Sequence, residues 1–211
     1  PRLATMVDRL LLYISAASDL RAEREVLGRA VTEVPVSLAW RVVHSPGGDE
    51  PVDVDAVSRA DVHLLLLGGD IRAPVGLEWR YALLAGRQPV PFLKQDALRT
   101  PAGEHFLRFV RQRAAWRPFR DPADLRRQFL ALLAGHVIDR AIHYRLSPVE
   151  LARLEEWRTE IDAAPSLAEE GGRGAGESGV ILSRERFVPS EGVLIDAEKV
   201  KRSHPEGQSS T

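Results

Sequence analysis

The sequence predicts a three-layer α/β protein with a five-stranded parallel sheet. Short aliphatic runs such as Arg9–Ser15 and Asp61–Leu67 alternate with longer segments in which apolar residues recur at helical spacing. Loops that contain glycine or proline separate these segments. Strands and helices that alternate in this way form βαβ crossovers, which make the strands parallel and cover both faces of the sheet with helices. We expect the flavodoxin-like strand order 2-1-3-4-5.

The first two strands have different signatures. Arg9–Ser15 is a short aliphatic run that stops at small polar residues, which is typical of a buried strand. A helix follows over 19–34, where Leu20, Leu27 and Val34 fall at helical spacing and Ser18 or Asp19 serves as the cap. The second strand, 37–44, is β-branched and alternating, and it ends in a Ser-Pro-Gly-Gly loop.

The middle of the chain predicts the clearest strand. A helical turn near 52–59 leads into Asp61–Leu67, whose aliphatic side chains predict a fully buried strand. A turn-rich loop at 68–74 and a helix over 75–85 follow, and Gly86 is the expected end of that helix. The remaining elements are strand 89–94, a helix over 103–113, strand 115–119 and a long helix over 122–144.

The C-terminal part predicts a smaller appendage to an α/β domain over 1–145. Ser147 and Glu150 form a capping box with proline between them, which opens a helix within 146–162. Residues 163–179 are a flexible linker by composition. Residues 180–202 predict a β-hairpin, and 203–211 a disordered tail.

Composition limits the class of protein. The chain has 211 residues, of which 44% are hydrophobic and 28% are charged, and this fits one globular domain with a modest extension. Its apolar runs are far shorter than the ~18 residues of a membrane span, and nothing resembles a secretory signal. The absence of cysteine excludes disulfides and thiolate chemistry. We therefore expect a cytoplasmic protein that is not associated with a membrane.

Positive charge is concentrated in one region. Residues 99–127 contain eight arginines and three acidic residues, although the whole chain has a net charge of −1. Such a region suits a phosphate-bearing ligand or partner, but it also fits a solvated helix face. Phe106 and Phe109 predict a helix face packed in the core rather than a surface for stacking nucleic acid bases.

The strand order predicts where a ligand binds. In an open parallel sheet the ligand crevice lies beyond the carboxyl ends of the strands where their order reverses, here between the loops that follow strands 1 and 3. The candidate ligand-binding residues in these two loops are Ser15, Ser18, Asp19, Gly68, Gly69 and Asp70. Ser15 and Ser18 precede a helix N-terminus, which favours anions, and the glycines permit close backbone approach. Glu78, in the first turn of the next helix, points close to the same crevice.

Residues in both halves resemble a known group of proteins. The run Tyr13–Arg24 and the segments 61–69, 77–82 and 86–90 resemble an uncharacterised bacterial domain family related to TIR-like domains and nucleoside 2-deoxyribosyltransferases. Members of this family commonly form the N-terminal module of signalling or defence proteins. The resemblance covers about residues 9–140. It implies that Glu78 is the nucleophile or oxocarbenium stabiliser in the cleavage of an N-glycosidic bond, with Asp70 near the base or ribose.

The resemblance is incomplete at two positions. Arg87-Gln88-Pro89 stands where the family pattern has Gly-Lys-Pro, and Pro74-Val75-Gly76 stands where deoxyribosyltransferases favour Asp-Gly-Thr. The two carboxylates also fit roles that need no ligand. Glu78 fits a favourable interaction with the helix dipole, and Asp70 fits ordinary turn chemistry.

Two further side chains favour structural roles. Glu23 shares a helix face with Leu20 and Leu27, which predicts a partly buried carboxylate paired with an arginine. His63 lies inside a buried strand and is expected to be a satisfied core residue. The six histidines have no metal-ligand spacing, and the chain has no phosphate-binding glycine loop, so we expect no metal and no cofactor.

Three functions follow from these observations. The first is a TIR-like signalling or sensor module that binds a nucleotide-like small molecule or a protein partner without turnover. The second is an N-glycosidase that cleaves NAD or a nucleoside through Glu78. The third is a non-catalytic assembly domain that forms homo-oligomers. We do not expect nucleic acid to be a partner.

Overall fold

The computed structural model confirms the predicted fold class. It describes residues 9–47 and 50–163, except for the side chain of Ala73. Five parallel strands form one sheet in the order β2-β1-β3-β4-β5, with helices on both faces, which is the flavodoxin-like arrangement. The predicted hairpin, the tail and all but the first residue of the predicted linker lie outside the described residues.

The elements have the following bounds. The strands are β1 (Arg9–Ala16), β2 (Ala39–His44), β3 (Val62–Leu67), β4 (Val90–Lys94) and β5 (Arg117–Phe119). The helices are α1 (Arg21–Ala30), α2 (Val54–Arg59), α3 (Ala73–Leu84), α4 (Pro101–Arg111), α5 (Pro122–Asp139) and α6 (Pro148–Ala163). Among the described residues, no helix has both the length and the apolar character that a membrane span requires.

Alternation along the strands divides the core between the two faces of the sheet. Leu12 and Ile14 of β1 belong to a cluster that includes Leu27 of α1 and Leu130 of α5. Tyr13, between them in sequence, packs with residues of α2 and α3 instead. Successive strand residues point to opposite faces, so one face of the sheet is covered by α1 and α5 and the other by α2, α3 and α4.

The start of α1 differs from the prediction. A short 3₁₀ turn over Ser18–Leu20 precedes the helix, and the N-cap position is occupied by Leu20 without a side-chain cap. The expectation that Ser18 or Asp19 caps this helix is therefore wrong. The carboxylate of Asp19 instead accepts a hydrogen bond from the backbone N–H of Gly69, in the loop after β3.

The end of α5 is also earlier than predicted, at Asp139 rather than residue 144. The chain continues in turns, and Arg145 adopts a left-handed conformation with a φ of 55°. Tyr144 folds back against the helix, so that its hydroxyl lies 2.9 Å from Nε2 of His136. Local turn formation and this contact end the helix although its apolar pattern continues.

The predicted capping box at the start of α6 is present. Oε2 of Glu150 accepts hydrogen bonds from the backbone N–H and the hydroxyl of Ser147, and the Ser147 hydroxyl oxygen accepts from the N–H of Glu150. Leu154 is fully buried, and Trp157 and Ile161 pack against the same core cluster. The helix therefore adds to the layer formed by α1 and α5.

Candidate functional site

Glu78 lies inside the protein rather than in an exposed first turn. Helix α3 begins at Ala73, two residues earlier than predicted, so Glu78 is in the second turn of the helix. Its side chain has no solvent exposure. The carboxylate is thus enclosed between α3 and the sheet.

Both oxygens of this carboxylate accept hydrogen bonds. The hydroxyl of Tyr13 donates to Oε1 at 2.9 Å, and the hydroxyl of Ser45 donates to Oε2 at 2.7 Å. The Ser45 oxygen in turn accepts from the backbone N–H of Ala16 at 3.1 Å. A buried carboxylate requires such donors, because an unpaired charge in the interior is costly.

The sheet places these donors next to the helix. Tyr13 lies near the middle of β1 on the face that packs with α3. Ser45 follows the last residue of β2, and its backbone N–H bonds to the carbonyl of Ile14 in β1. Burial and the negative charge of Glu78 raise the pKa of Tyr13 well above its usual value. Tyr13 therefore remains a neutral hydrogen-bond donor.

A second buried polar pair lies on the same face. The Ser15 hydroxyl is 2.7 Å from Nε2 of His63, and the His63 ring packs edge-on against Tyr13 with centroids 5.1 Å apart. Burial lowers the pKa of His63 to about 3, so the ring is neutral near pH 7. Its Nδ1 has no partner among the described residues. The predicted core position of His63 is correct, but the ring is only partly satisfied.

Other atoms of the protein, and not open space, lie next to the two glycines after β3. A Cβ on Gly68 would lie 2.6 Å from Oδ2 of Asp19, and one on Gly69 would lie 2.8 Å from the carbonyl oxygen of Leu98. The backbone N–H of Gly69 donates to Oδ2 of Asp19 at 2.9 Å. The two loops of the predicted crevice are therefore joined directly to each other.

Asp70 connects the same loop to the next helix. Its Oδ1 accepts a 2.6 Å hydrogen bond from the hydroxyl of Thr100, the N-cap residue of α4. The backbone N–H of Thr100 donates to the carbonyl of Gly69 at 2.8 Å. The bond from Thr100 contributes most to holding the pKa of Asp70 below its usual value. This carboxylate is ionised at neutral pH and positions the loop.

The predicted site residues thus fall into three contact groups. Ser15 and Glu78 are among the buried polar side chains between α3 and the sheet. Asp19 accepts a hydrogen bond from the backbone N–H of Gly69, and Asp70 accepts one from Thr100 at the start of α4. Ser18 is exposed, and its side chain contacts none of these groups through a hydrogen bond. The arrangement gives most of these side chains an intramolecular partner.

Sequence reasoning missed the donors to Glu78. Tyr13 lies in a buried strand, and a buried tyrosine hydroxyl usually has a hydrogen-bond partner. Ser45 follows directly after a strand that neighbours β1. Their positions in the sequence indicated buried hydroxyls, but only the tertiary structure identifies the carboxylate that they share.

The predicted partner of Glu23 is also different. The carboxylate is buried, with 2% of its side chain exposed, and it pairs with Lys94 rather than with an arginine. Nζ of Lys94 donates to Oε1 of Glu23 at 2.7 Å. Lys94 is the last residue of β4, so this contact links the far end of that strand to α1.

A cavity of about 660 Å³ lies near the first residues of β3 and β4. This is the end of the sheet opposite to the predicted crevice, which lies at the carboxyl ends of the strands. Its lining includes Arg87, Arg117, Arg140 and Arg158. Guanidinium groups suit phosphate oxygens, although Arg87 Nε already donates to the carbonyl of Ser58. Across residues 9–47 and 50–163, no group of three or more histidine, cysteine or acidic side chains is placed to hold a metal ion.

Comparisons with known proteins do not identify the chain. No family model matches it, and no curated protein or solved structure gives a significant match. The fold and the contacts of the candidate residues are therefore the observations from which a function is argued.

Proposed function

We propose that this protein is a TIR-like signalling module that recognises a nucleotide-like ligand or a protein partner without chemical turnover. The flavodoxin-like fold and the sequence resemblance of residues 9–140 favour a TIR-like domain. The contacts of Glu78 favour recognition over catalysis. The single observation that carries the proposal is the full burial of this carboxylate with both oxygens hydrogen-bonded.

Cleavage of an N-glycosidic bond makes a demand that this geometry does not meet. The catalytic carboxylate must approach the anomeric carbon, where positive charge develops as the bond breaks. For Glu78 to do so, the hydrogen bond from Tyr13 or Ser45 would have to be lost and the layer beneath α3 would have to open. The arrangement instead resembles a structural anchor that fixes α3 to β1 and β2.

The arginine-lined cavity supports the ligand-binding part of the proposal. Arg117 in β5 and Arg158 in α6 both line the cavity. The Arg117 side chain makes no hydrogen bond or ion pair with a described residue, and the Arg158 side chain makes only a 3.8 Å ion pair with Asp162. Asp61 and Asp139 also line the cavity, and Oδ2 of Asp61 accepts from the backbone N–H of Leu11. A ligand with at least one phosphate would match the remaining positive charge.

The test combines an activity assay with a binding assay on the full chain. Wild type and Glu78→Gln are incubated with NAD and a panel of nucleosides, and release of the free base is followed by chromatography. The same compounds and inorganic pyrophosphate are then tested for a shift in melting temperature. Arg117→Ala serves as the cavity variant, and Arg153→Ala, an exposed change on the outer side of α6, as its control.

We expect no base release from either protein, and a rise in melting temperature with a phosphate-bearing compound that Arg117→Ala reduces and Arg153→Ala retains. Base release by wild type that is lost in Glu78→Gln would overturn the proposal in favour of an N-glycosidase. If there is neither base release nor a thermal shift, the proposed nucleotide-like ligand is excluded, and recognition of a protein partner is the part of the proposal that remains.

A further inference from the structure

The outer surface of α3 and α4 contains an apolar groove. Helix α3 contributes Trp79, Leu83 and Leu84, and helix α4 contributes Phe106 and Phe109. The groove has a volume of about 590 Å³. Leu84 is 73% exposed and Phe109 38% exposed, so large apolar side chains of the groove face solvent. Exposed apolar patches of this kind are typical of interaction sites.

The aromatic side chains give the groove a defined shape. Phe106 packs edge-on against Trp79 with ring centroids 6.4 Å apart and stacks with Phe109 at 6.3 Å. Trp79 is only 2% exposed and belongs to the core beneath the groove. The expectation that Phe109 is a core residue is therefore wrong, because Phe109 lies at the outer edge of this aromatic row. The position is instead available to a bound partner.

The charges beside the groove are positive. Arg80 and Arg113 line it, and the guanidinium carbon of Arg113 lies 4.2 Å from the centroid of the Phe109 ring. Arg80 makes no ion pair with any described residue. Arg108 and Arg111 add two further positive charges to α4, whereas Glu104 is the one exposed acidic residue on α3 and α4. An occupant with negative charges would be attracted and oriented by this surface.

A second copy of the chain does not fit this requirement. Two grooves facing each other would bring both sets of Arg80 and Arg113 together, and like charges oppose such a contact. Helix α6 is acidic, but its apolar residues Leu154, Trp157 and Ile161 pack against the core, and Val149 is a single exposed apolar residue at its start. Within the described part of the chain, that helix therefore lacks a row of exposed apolar anchors that could fill the groove.

We infer that this groove binds an acidic amphipathic segment of a partner protein. Helical segments of this kind place apolar anchors at positions i, i+3 or i+4 and i+7 in a hydrophobic groove, with charged residues at the sides. Anchors of the partner would contact Leu83, Leu84 and Phe109, and its carboxylates would pair with Arg80 and Arg113. The inference deepens the proposed function, on which it rests, by naming the chemistry of the protein partner.

The test selects binders without prior bias. A displayed peptide library of mixed charge is selected on the full chain, and the enriched peptides are synthesised and titrated against wild type. The specificity variant is Arg80→Glu with Arg113→Glu. The matched control is Arg145→Glu with Arg153→Glu, which makes the same change in net charge at exposed positions away from the groove. Circular dichroism checks that each variant is folded.

We expect enriched peptides that are acidic and amphipathic, with binding weakened about tenfold or more by the groove variant and unchanged by the control. Basic counterparts of these peptides should bind the groove variant better than wild type. Enrichment of no peptide, or binding that both variants weaken equally, would overturn the inference. A dimer of the full chain that Leu84→Glu dissociates would replace it with self-association.

The outcomes of the peptide-binding test and of the base-release assay are independent of each other. Peptide binding depends on the outer side of α3 and α4, whereas base release depends on the carboxylate buried beneath α3. Base release with peptide binding intact would overturn the proposed lack of turnover and leave the partner site in place. Loss of the peptide result alone would leave the proposal of a recognition module without turnover unchanged.

Discussion

The hydroxyl of Tyr13 donates a 2.9 Å hydrogen bond to Oε1 of Glu78 across 65 residues of sequence. Ser45 donates to the other oxygen, so three segments of the chain meet at one buried carboxylate. Hydrogen bonds to charged groups are stronger than those between neutral groups. This contact therefore fixes α3 against β1.

Replacement of Ser45 by alanine should destabilise the fold. The variant removes the donor to Oε2 of Glu78 and the acceptor of the Ala16 N–H, which leaves two buried groups unpaired. We expect a loss of about 2–3 kcal/mol in the free energy of unfolding, measured by urea denaturation. Ser58→Ala is the control, because the Ser58 hydroxyl makes no hydrogen bond with a described residue. Equal effects of the two variants would argue against the role of Ser45.

The neutral state of His63 should make stability depend on pH. Burial lowers its pKa from 6.5 to about 3, so the unfolded chain binds a proton that the folded protein excludes between these values. Stability should therefore be fully present above pH 6.5 and fall as the pH decreases towards 3, by about 1.4 kcal/mol per pH unit from this group.

The variant His63→Gln isolates this effect. Glutamine can retain a hydrogen bond to Ser15 but does not titrate. Urea denaturation between pH 4 and pH 7, in the window set by the two pKa values, should give a shallower slope for the variant than for wild type. Parallel slopes would show that folding does not lower the pKa of His63.

Two glycines should respond to alanine in opposite directions. A Cβ on Gly68 would lie 2.6 Å from Oδ2 of Asp19 and 3.0 Å from a methyl carbon of Leu20, so these side chains would have to shift and the hydrogen bond of Asp19 to Gly69 would be disturbed. Gly76 lies inside α3 with nothing within 4 Å of the added carbon. Gly76→Ala should stabilise by about 0.5–1 kcal/mol, because alanine favours the helix.

Thermal denaturation of the two glycine variants tests this contrast. Gly68→Ala is expected to lower the melting temperature and Gly76→Ala to raise it. A Gly68→Ala variant as stable as wild type would contradict this prediction, because it would mean that the contact of Asp19 with this loop contributes little to stability.

The ion pair of Glu23 and Lys94 should depend on both partners. Lys94→Met leaves the buried Glu23 carboxylate without its cation and should cost about 3 kcal/mol in the free energy of unfolding. Glu23→Leu combined with Lys94→Met removes both charges and should recover most of that loss. Equal stability of the single and double variants would show that the charge of Glu23 is accommodated without Lys94.

The fold was predictable because the hydrophobic pattern of each segment agrees with the position that the segment takes in the sheet or in a helix layer. Strands such as Val62–Leu67 are buried on both faces and appear in the sequence as uninterrupted aliphatic runs, while glycine and proline separate the elements. Element ends were less predictable, since tertiary contacts determine them. Asp19 binds Gly69 instead of capping α1, and Tyr144 folds back onto His136 where α5 was expected to continue.

The candidate site was less predictable than the fold. Strand order brought the loops after β1 and β3 together, as the contact of Asp19 with Gly69 shows, and the buried position of His63 followed from its strand. The sequence placed Glu78 in an exposed first turn beside those loops, whereas the structure buries it beneath α3. The sequence pattern does not show which buried hydroxyls reach a given carboxylate, because that depends on the register of β1 with β2 and on the rotation of α3. The hydroxyls of Tyr13 and Ser45 therefore emerged only from the structure.

The most direct measurement is a double-mutant cycle between Tyr13 and Glu78. Tyr13→Phe, Glu78→Met and the double variant are compared with wild type by urea denaturation. Each single change should leave a buried partner unpaired, so the double variant should be more stable than the sum of the single losses predicts, by about 1–2 kcal/mol. Additive losses would contradict the account, because they would mean that the hydroxyl of Tyr13 does not hold the Glu78 carboxylate.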